Sequence, residues 1–437
     1  MDSFNDLSLA APLLRAATDL GFTQPSPVQA QAIPAAIAGH DLLVSAKTGS
    51  GKTAAFLLPL LHCLLQQDAP RSSTRALILL PTRELAIQTQ KNFEQLASFT
   101  QIKAGLIIGG EAFKHQIATL RRNPEVVIAT PGRLVEHINN KNADFNDLEI
   151  LVLDEVDRML DMGFAESMHE IVTVCNEQRQ NLFFSATLKH RAINRITAWL
   201  KDPVSIEIGS MRTGHENIQQ QKILADDLKH KQALTIALCT AENAGKIMVF
   251  CNTRAQCQQL SNLLQSKKIK CGYLHGEVGQ NDRKQILNRF RDDTLQVLVA
   301  TDVAARGLDI DNVDLVVNFT VAHSGDEHIH RIGRTGRADQ IGRAITLVCR
   351  EDWNLNSSIE RYLKVLFQTT KIAGLEAEYK GPKKLKSSGK AVGRKKKKDE
   401  KGKVVARPKK RPGTRSGLTS KPKDGGNNDG MAPLRKK

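Results

Sequence analysis

Aromatic residues make up only 4% of this 437-residue chain, with two Trp and three Tyr. A groove that reads nucleic-acid bases by stacking needs more rings than that, so any nucleic-acid contact is expected to go to the backbone. The seven cysteines stand singly, with no Cys-x-x-Cys pair, which argues against a zinc site or a disulfide framework and fits a reducing compartment. No apolar run is long enough to span a bilayer. The N-terminal stretch MDSFNDLSLAAPLLRAATDLGF has early acids and no basic region ahead of an apolar one, so it does not read as a secretory leader and a cytoplasmic location is expected.

What is present is a soluble composition, 41% hydrophobic and 25% charged, over a length that suggests two or three domains. The formal net charge of +17 is unevenly placed. Residues 380–437 hold 22 Lys and Arg against 4 Asp and Glu, leaving 41 and 42 in the remainder. A near-neutral body thus carries a strongly basic tail, expected to be disordered alone and to meet a polyanion, nucleic acid foremost, without sequence specificity.

Two stretches alternate short apolar runs with helix-like sequence. The first contains LLVSA (42–46), RALILLP (75–81), AGLIIGG (104–110), EVVIATP (125–131), ILVLDE (150–155) and NLFFSAT (181–187). The second contains KIMVFCN (246–252), KCGYLHG (270–276), LQVLVATD (295–302), VDLVVNF (313–319) and RAITLVC (343–349). Continuous apolar strands between helices indicate parallel sheets covered on both faces. The fold class is α/β: two tandem domains over 1–208 and 221–370, a polar linker over 209–220 and a tail over 371–437.

AKTGSGKT (46–53) sits between the strand LLVSA and an apolar helix, the context a phosphate-binding loop requires. Gly49 and Gly51 let backbone N–H groups turn toward phosphate. Lys52 can reach the β- and γ-phosphates, and the Thr53 hydroxyl suits Mg²⁺. Ala46 stands where the general pattern has its first Gly; Lys47, Thr48 and Ser50 complete the loop. LVLDEVDRML (151–160) supplies the partner: a buried strand running into acids. Asp154 can hold Mg²⁺ through water, and Glu155 can orient or deprotonate an attacking water.

With these residues in view the chain resembles the DEAD-box RNA helicases of superfamily 2, over about residues 1–370. Residues 2–30, with Phe4 and GFTQPSPVQ (21–29), look like the Q motif; the resemblance implies that Gln29 reads adenine and that Phe22 packs near its ring. PTRELA (81–86), GG (109–110), TPGR (130–133), DEVD (154–157) and SAT (185–187) look like motifs Ia, GG, Ib, II and III. In the second domain MVFCNTR (248–254), the Gln280–Arg283 pair, ATDVAARGLDI (300–310) and HRIGRTGR (330–337) look like motifs IV, QxxR, V and VI. The resemblance implies RecA-like domains and an RNA-dependent ATPase that opens short duplexes locally, without processivity. Arg334 and Arg337 would reach the γ-phosphate from the second domain. Asp309 would meet the ribose, and His330 would couple to Asp157, Ser185 and Thr187. RNA would touch Arg83, Gly110, Thr130 and Arg133 on one domain and Arg254, Gly276, Gln280, Arg283 and Thr301 on the other.

Two departures from the family pattern stand out. Val156 replaces Ala in motif II, and its extra methyls would cost about 1–3 kcal/mol if the neighbours had not adjusted. His328 stands where an aromatic is common, ahead of motif VI. Two alternatives share these features: a DNA helicase on the same scaffold, and a non-catalytic RNA-binding or annealing protein that works through its tail.

Overall fold

The computed structural model describes residues 3–46, 49–67, 74–186, 193–208, 217–241, 245–305, 308, 310, 313–336 and 341–391. Lys47, Thr48, Thr187, Asp309, Arg337, most of the expected linker and the tail beyond 391 lie outside the described residues.

The first sheet comprises β1 (Leu42–Ala46), β2 (Ala76–Leu79), β3 (Ala104–Ile107), β4 (Val126–Ala129), β5 (Ile150–Leu153), β6 (Gln180–Ser185) and β7 (Val204–Ile208). Its strand order is β3-β4-β2-β5-β6-β1-β7, and every pairing is parallel. β2, β4 and β5 are buried at all four of their residues, which explains their unbroken apolar sequences. Side chains alternate across the sheet. Ile78, Val152 and Phe184 pack on one face with Phe56 and Phe93, while Leu77, Leu151 and Phe183 pack on the other with Phe145 and Met159.

The second sheet comprises β8 (Ile218–Leu224), β9 (Ile247–Cys251), β10 (Cys271–Leu274), β11 (Val297–Thr301), β12 (Leu315–Asn318), β13 (Gly342–Val348) and β14 (Gln368–Thr370), in the order β10-β11-β9-β12-β13-β8-β14. All its pairings are parallel too.

All eleven apolar runs are strands; β7, β8 and β14 are additional. β8 reads IQQQKIL and is largely half-exposed, so its composition hides it, and residues 218–220 are strand where linker was expected. β14 has three residues, below what a pattern can resolve. Residues 371–391, expected to open the tail, are instead strapped to the second lobe. Asp226 accepts the N–H groups of Glu378 (3.0 Å) and Tyr379 (2.7 Å). Trp353 Nε1 donates to the Gly389 carbonyl (3.1 Å), and Ile372 and Leu375 pack against the lobe's core. A few apolar and aromatic anchors outweigh the basic composition that suggested disorder. No helix among the described residues is long and apolar enough to cross a membrane.

Both departures from the family pattern are accommodated by packing. His328 is buried and stacks on Phe367, ring centroids 5.1 Å apart, while its Nε2 lies 3.1 Å from Gln220 Oε1 on β8. Val156 opens the short helix Val156–Asp161 and is 1% exposed, in the same core cluster as Leu153, Met159 and Phe183. With the core closed around it, Val156→Ala is expected to cost about 1–2 kcal/mol of stability by leaving a void, measurable as a lower urea midpoint at unchanged slope.

Candidate active site and nucleic-acid interface

In an all-parallel sheet every strand presents its C-terminal end at one edge, where ligands bind. Because β5, β6 and β1 are neighbours, the DEVD, SAT and phosphate-loop segments emerge side by side, roughly 5 Å per strand. Gly49 and Gly51 both adopt positive φ (80° and 91°), and Gly51 is the N-cap of the helix Lys52–Gln66. A Cβ at Gly51 would sit 2.6 Å from Gln29 Nε2, so the loop demands glycine there on two counts. Gln29 donates to the Gly51 carbonyl (3.1 Å) and accepts the Ser26 N–H (2.9 Å). Its carboxamide therefore latches the Q segment to the phosphate loop, and each amide atom keeps one further bonding position for a base. Phe22 lies against Phe4, the two rings tilted by 30° with centroids 5.7 Å apart.

Phe22, Gln29, Gly49 and Gly51 line a cavity of about 460 Å³ together with Lys52, Thr53, Asp154, Glu155 and Arg158. Lys52 Nζ donates to the Ala46 carbonyl at 2.7 Å. Glu155 has φ 53°, an αL conformation that costs a non-glycine residue about 1–2 kcal/mol. Its N–H bonds Asp154 Oδ1 (2.9 Å), and its carboxylate pairs with Arg158. Burial pushes the Asp154 carboxyl up to about 7; Lys52 pulls it down, and Glu155 and Asp157 add to the rise. Asp157 is likewise raised by burial, against Lys52, and is hydrogen-bonded by Ser185. Lys52 and Arg158 offset part of this charge, and the Asp154 carboxylate with the Thr53 hydroxyl offers oxygen ligands of the kind a divalent cation takes.

The second lobe completes the cavity with Leu308 and Arg334. Arg334 is 5% exposed and is held by a bond from its guanidinium to the Leu308 carbonyl (2.6 Å). Arg331, three residues earlier, has a different role. It donates to both oxygens of Asp302 (2.6 Å each), to Asn252 Oδ1 (2.7 Å) and to the Thr320 carbonyl (2.6 Å). Those bonds staple together the ends of β9, β11 and β12. His330 is half-buried on the same helix, Gly325–Ile332.

A second cavity, of about 430 Å³, opens between the lobes. It gathers Arg83, Gly110, Thr130, Arg133, Gly276, Gln280 and Arg283, seven of the nine residues expected to meet RNA. Gly110 has φ 83°, and a Cβ there would overlap the Arg83 guanidinium. Arg83 and Arg254 each open a helix behind a Thr N-cap. Arg254 lies outside that lining and pairs with Glu277, while Thr301 is a buried residue ending β11. Arg283 is 8% exposed, ion-paired to Glu84 of the other lobe (2.5 Å) and bonded to the Ala304 carbonyl (2.6 Å). It therefore bridges the lobes, which its motif did not suggest.

Sequence reasoning passed over Glu84, Arg158 and Arg331, although each lies inside a quoted motif or next to one. It also passed over Gln88, Asn92 and Gln95, which line the first cavity from the helix Arg83–Leu96. Their spacing of four and three marks one polar helix face and could have identified them.

A DEAD/DEAH box helicase family model matches residues 26–196, and a helicase conserved C-terminal domain model matches 228–339. The ATP-dependent RNA helicase SrmB of Escherichia coli is 42% identical over 87% of this chain and 86% of its own. SrmB of Haemophilus influenzae is 39% identical over 88% of both. The probable ATP-dependent RNA helicase ddx27 of Dictyostelium discoideum is 42% identical over 82% of this chain, which spans only 46% of that relative. Among solved structures, S. cerevisiae Dbp5 bound to RNA and ADP BeF3 superposes with a TM-score of 0.75 at 27% identity, covering 85% of this chain and 96% of that one. Mss116p bound to ssRNA and AMP-PNP gives 0.75 at 26%, covering 85% and 79%.

The raised Asp154 carboxyl has a consequence for stability. Its folded pKa exceeds its unfolded value, so the stabilisation present below about pH 4 is lost as pH rises through about 7. Asp154→Asn, which removes that charge, is expected to raise the melting temperature by about 2–4 °C at pH 8 in nucleotide-free, Mg²⁺-free buffer. The difference should vanish near pH 4, a pattern that thermal melts across pH will check.

Proposed function

Because the chain belongs to the DEAD/DEAH box helicase family, we propose that it works as an ATP-dependent RNA helicase whose two lobes hydrolyse ATP in the first cavity and grip RNA in the second. The observation that carries this reading is that Arg334 of the second lobe lines the same cavity as Lys52, Asp154 and Glu155 of the first. ATP held by groups of both lobes favours their closed arrangement.

In this reading Lys52 and the loop N–H groups, with Ala46, Lys47, Thr48, Ser50 and Thr53, hold the phosphates, while Phe22, Gln29 and Asp309 hold the base and ribose. Glu155, kept in place by its turn and by Arg158, orients the attacking water. Arg334, joined by Arg337, offsets the charge that develops on the transferring phosphoryl group. Mg²⁺, which Thr53 and Asp154 would hold, supplies further charge neutralisation when bound. Asp157 and Ser185, with Thr187 and His330, link the hydrolytic cluster to the lobe interface.

RNA lies across both lobes on Arg83, Gly110, Thr130 and Arg133 and on Arg254, Gly276, Gln280, Arg283 and Thr301. These are cations, hydroxyls and exposed backbone, suited to phosphate and 2′-OH rather than to bases. Closure bends the bound strand and separates a few base pairs, and product release reopens the cleft. The cytoplasm is the proposed location.

Arg334→Ala is expected to lower RNA-stimulated turnover by about 10³-fold or more with little change in the ATP Michaelis constant. The same assay tests the nucleic acid: single-stranded DNA that stimulates as well as RNA of equal length would refute RNA selectivity. The basic tail should hold RNA near the cleft by raising its local concentration. Truncation after Val392, beyond the strap, is expected to raise the half-saturating RNA concentration and to flatten its salt dependence while sparing saturated turnover. RNA-titrated ATPase assays over a range of salt will measure both.

A further inference from the structure

Beside the GG loop and TPGR lies a buried polar network built on Gln116 and His137, which no quoted motif includes. Gln116, on the helix Phe113–Arg121, is 2% exposed. Its Nε2 donates to the Ile108 carbonyl at 2.6 Å. A backbone carbonyl can only accept, so this bond fixes the carboxamide's orientation and leaves Oε1 as the acceptor. Arg133 Nη1 reaches that oxygen at 3.3 Å, and His137 Nε2 reaches it at 3.1 Å. His137 must therefore carry its proton on Nε2. The ring is fully buried and stacks on Phe113, centroids 4.1 Å apart and planes within 4°. Burial, and then the neighbouring Arg133, lower its pKa and favour the neutral ring.

The network ends on an arginine. The Arg133 guanidinium also donates to the Glu111 carbonyl (3.1 Å), pairs with Glu136 (3.0 Å) and lies 5.7 Å from the Phe113 ring centroid. Gln116 thus ties the chain entering Gly109 and Gly110 to the helix that follows β4. Burying a carboxamide and an imidazole is costly compared with filling the same space with apolar side chains, so their presence calls for a directional role.

We propose that Gln116, held by His137, is a positioning residue that sets the Arg133 guanidinium and the Gly109–Gly110 backbone in one register for RNA phosphates. The proposal rests on the reading of Arg133 as an RNA contact. A misplaced guanidinium weakens binding without touching the hydrolytic cluster, so the effect falls on RNA affinity rather than on chemistry.

The test is RNA-stimulated ATPase activity of the full chain, titrated with a single-stranded oligouridine, with nucleotide affinity measured separately by fluorescence. Gln116→Met is expected to raise the half-saturating RNA concentration about two- to tenfold, with turnover at saturating RNA and nucleotide affinity moving far less. In an Arg133→Ala background the same change should add nothing. His137→Phe, which keeps the stack but loses the Nε2 donor, should give the same direction of effect and serves if Gln116→Met does not fold. Folded variants with unaltered half-saturation, or effects that add to those of Arg133→Ala, would overturn the positioning role while leaving Arg133 as a contact. An Arg133→Ala protein with unaltered RNA dependence would overturn both.

Discussion

Parallel strand direction is the constraint from which both sites follow. A parallel sheet sends every strand's loop to the same edge, and the order of strands then decides which loops meet. In the first sheet β5, β6 and β1 lie together, as do β3, β4 and β2. One half-edge carries the phosphate loop with Asp154, Glu155, Asp157 and Ser185; the other carries Arg83, Gly110, Thr130 and Arg133. The second sheet repeats the division, with β10, β11 and β9 on one side of β12. The nucleotide and RNA sites proposed above therefore share one sheet frame without sharing residues.

Charge is handled differently on the two sides of that frame. The nucleotide edge concentrates buried carboxylates, raised in pKa by desolvation and opposed chiefly by Lys52. The arginines nearby are fixed rather than free to swing. Arg158 pairs with Glu155, Arg331 bonds Asp302, Asn252 and Thr320, and Arg334 bonds the Leu308 carbonyl. A preorganised guanidinium needs little rearrangement when charge develops beside it, and a short tether to backbone contributes to that.

Much of this could be read from residues alone, for identifiable reasons. Strands buried on both faces show as apolar runs, so ILVL and VVIA declared themselves, whereas IQQQKIL on β8 did not, because a polar, half-exposed strand has no such signature. Phosphate-loop glycines carry their requirement in their backbone angles, and Gly51 also carries it in its contact with Gln29. Roles that depend on partners far apart in the chain were not legible. Arg331 and Arg334 look alike in HRIGRTGR, yet one is a structural staple and the other faces the cavity. Glu84 looks like part of PTRELA, and only the fold brings Arg283 against it. The strap over 371–391 was hidden by its lysines, since anchoring depends on Trp353 and Asp226, which lie outside it.

The arginines proposed to meet RNA, inside the cleft and beside it, are already paired with carboxylates. Arg283 faces Glu84, Arg254 faces Glu277 and Arg133 faces Glu136. In the proposed reading, a phosphate arriving at such an arginine would displace a carboxylate already in place. Affinity in the cleft then becomes a competition between two kinds of oxyanion for the same donors. Of these three pairs Arg283–Glu84 joins the lobes, so in that reading its exchange for a phosphate would link occupancy of the groove to the grip between lobes.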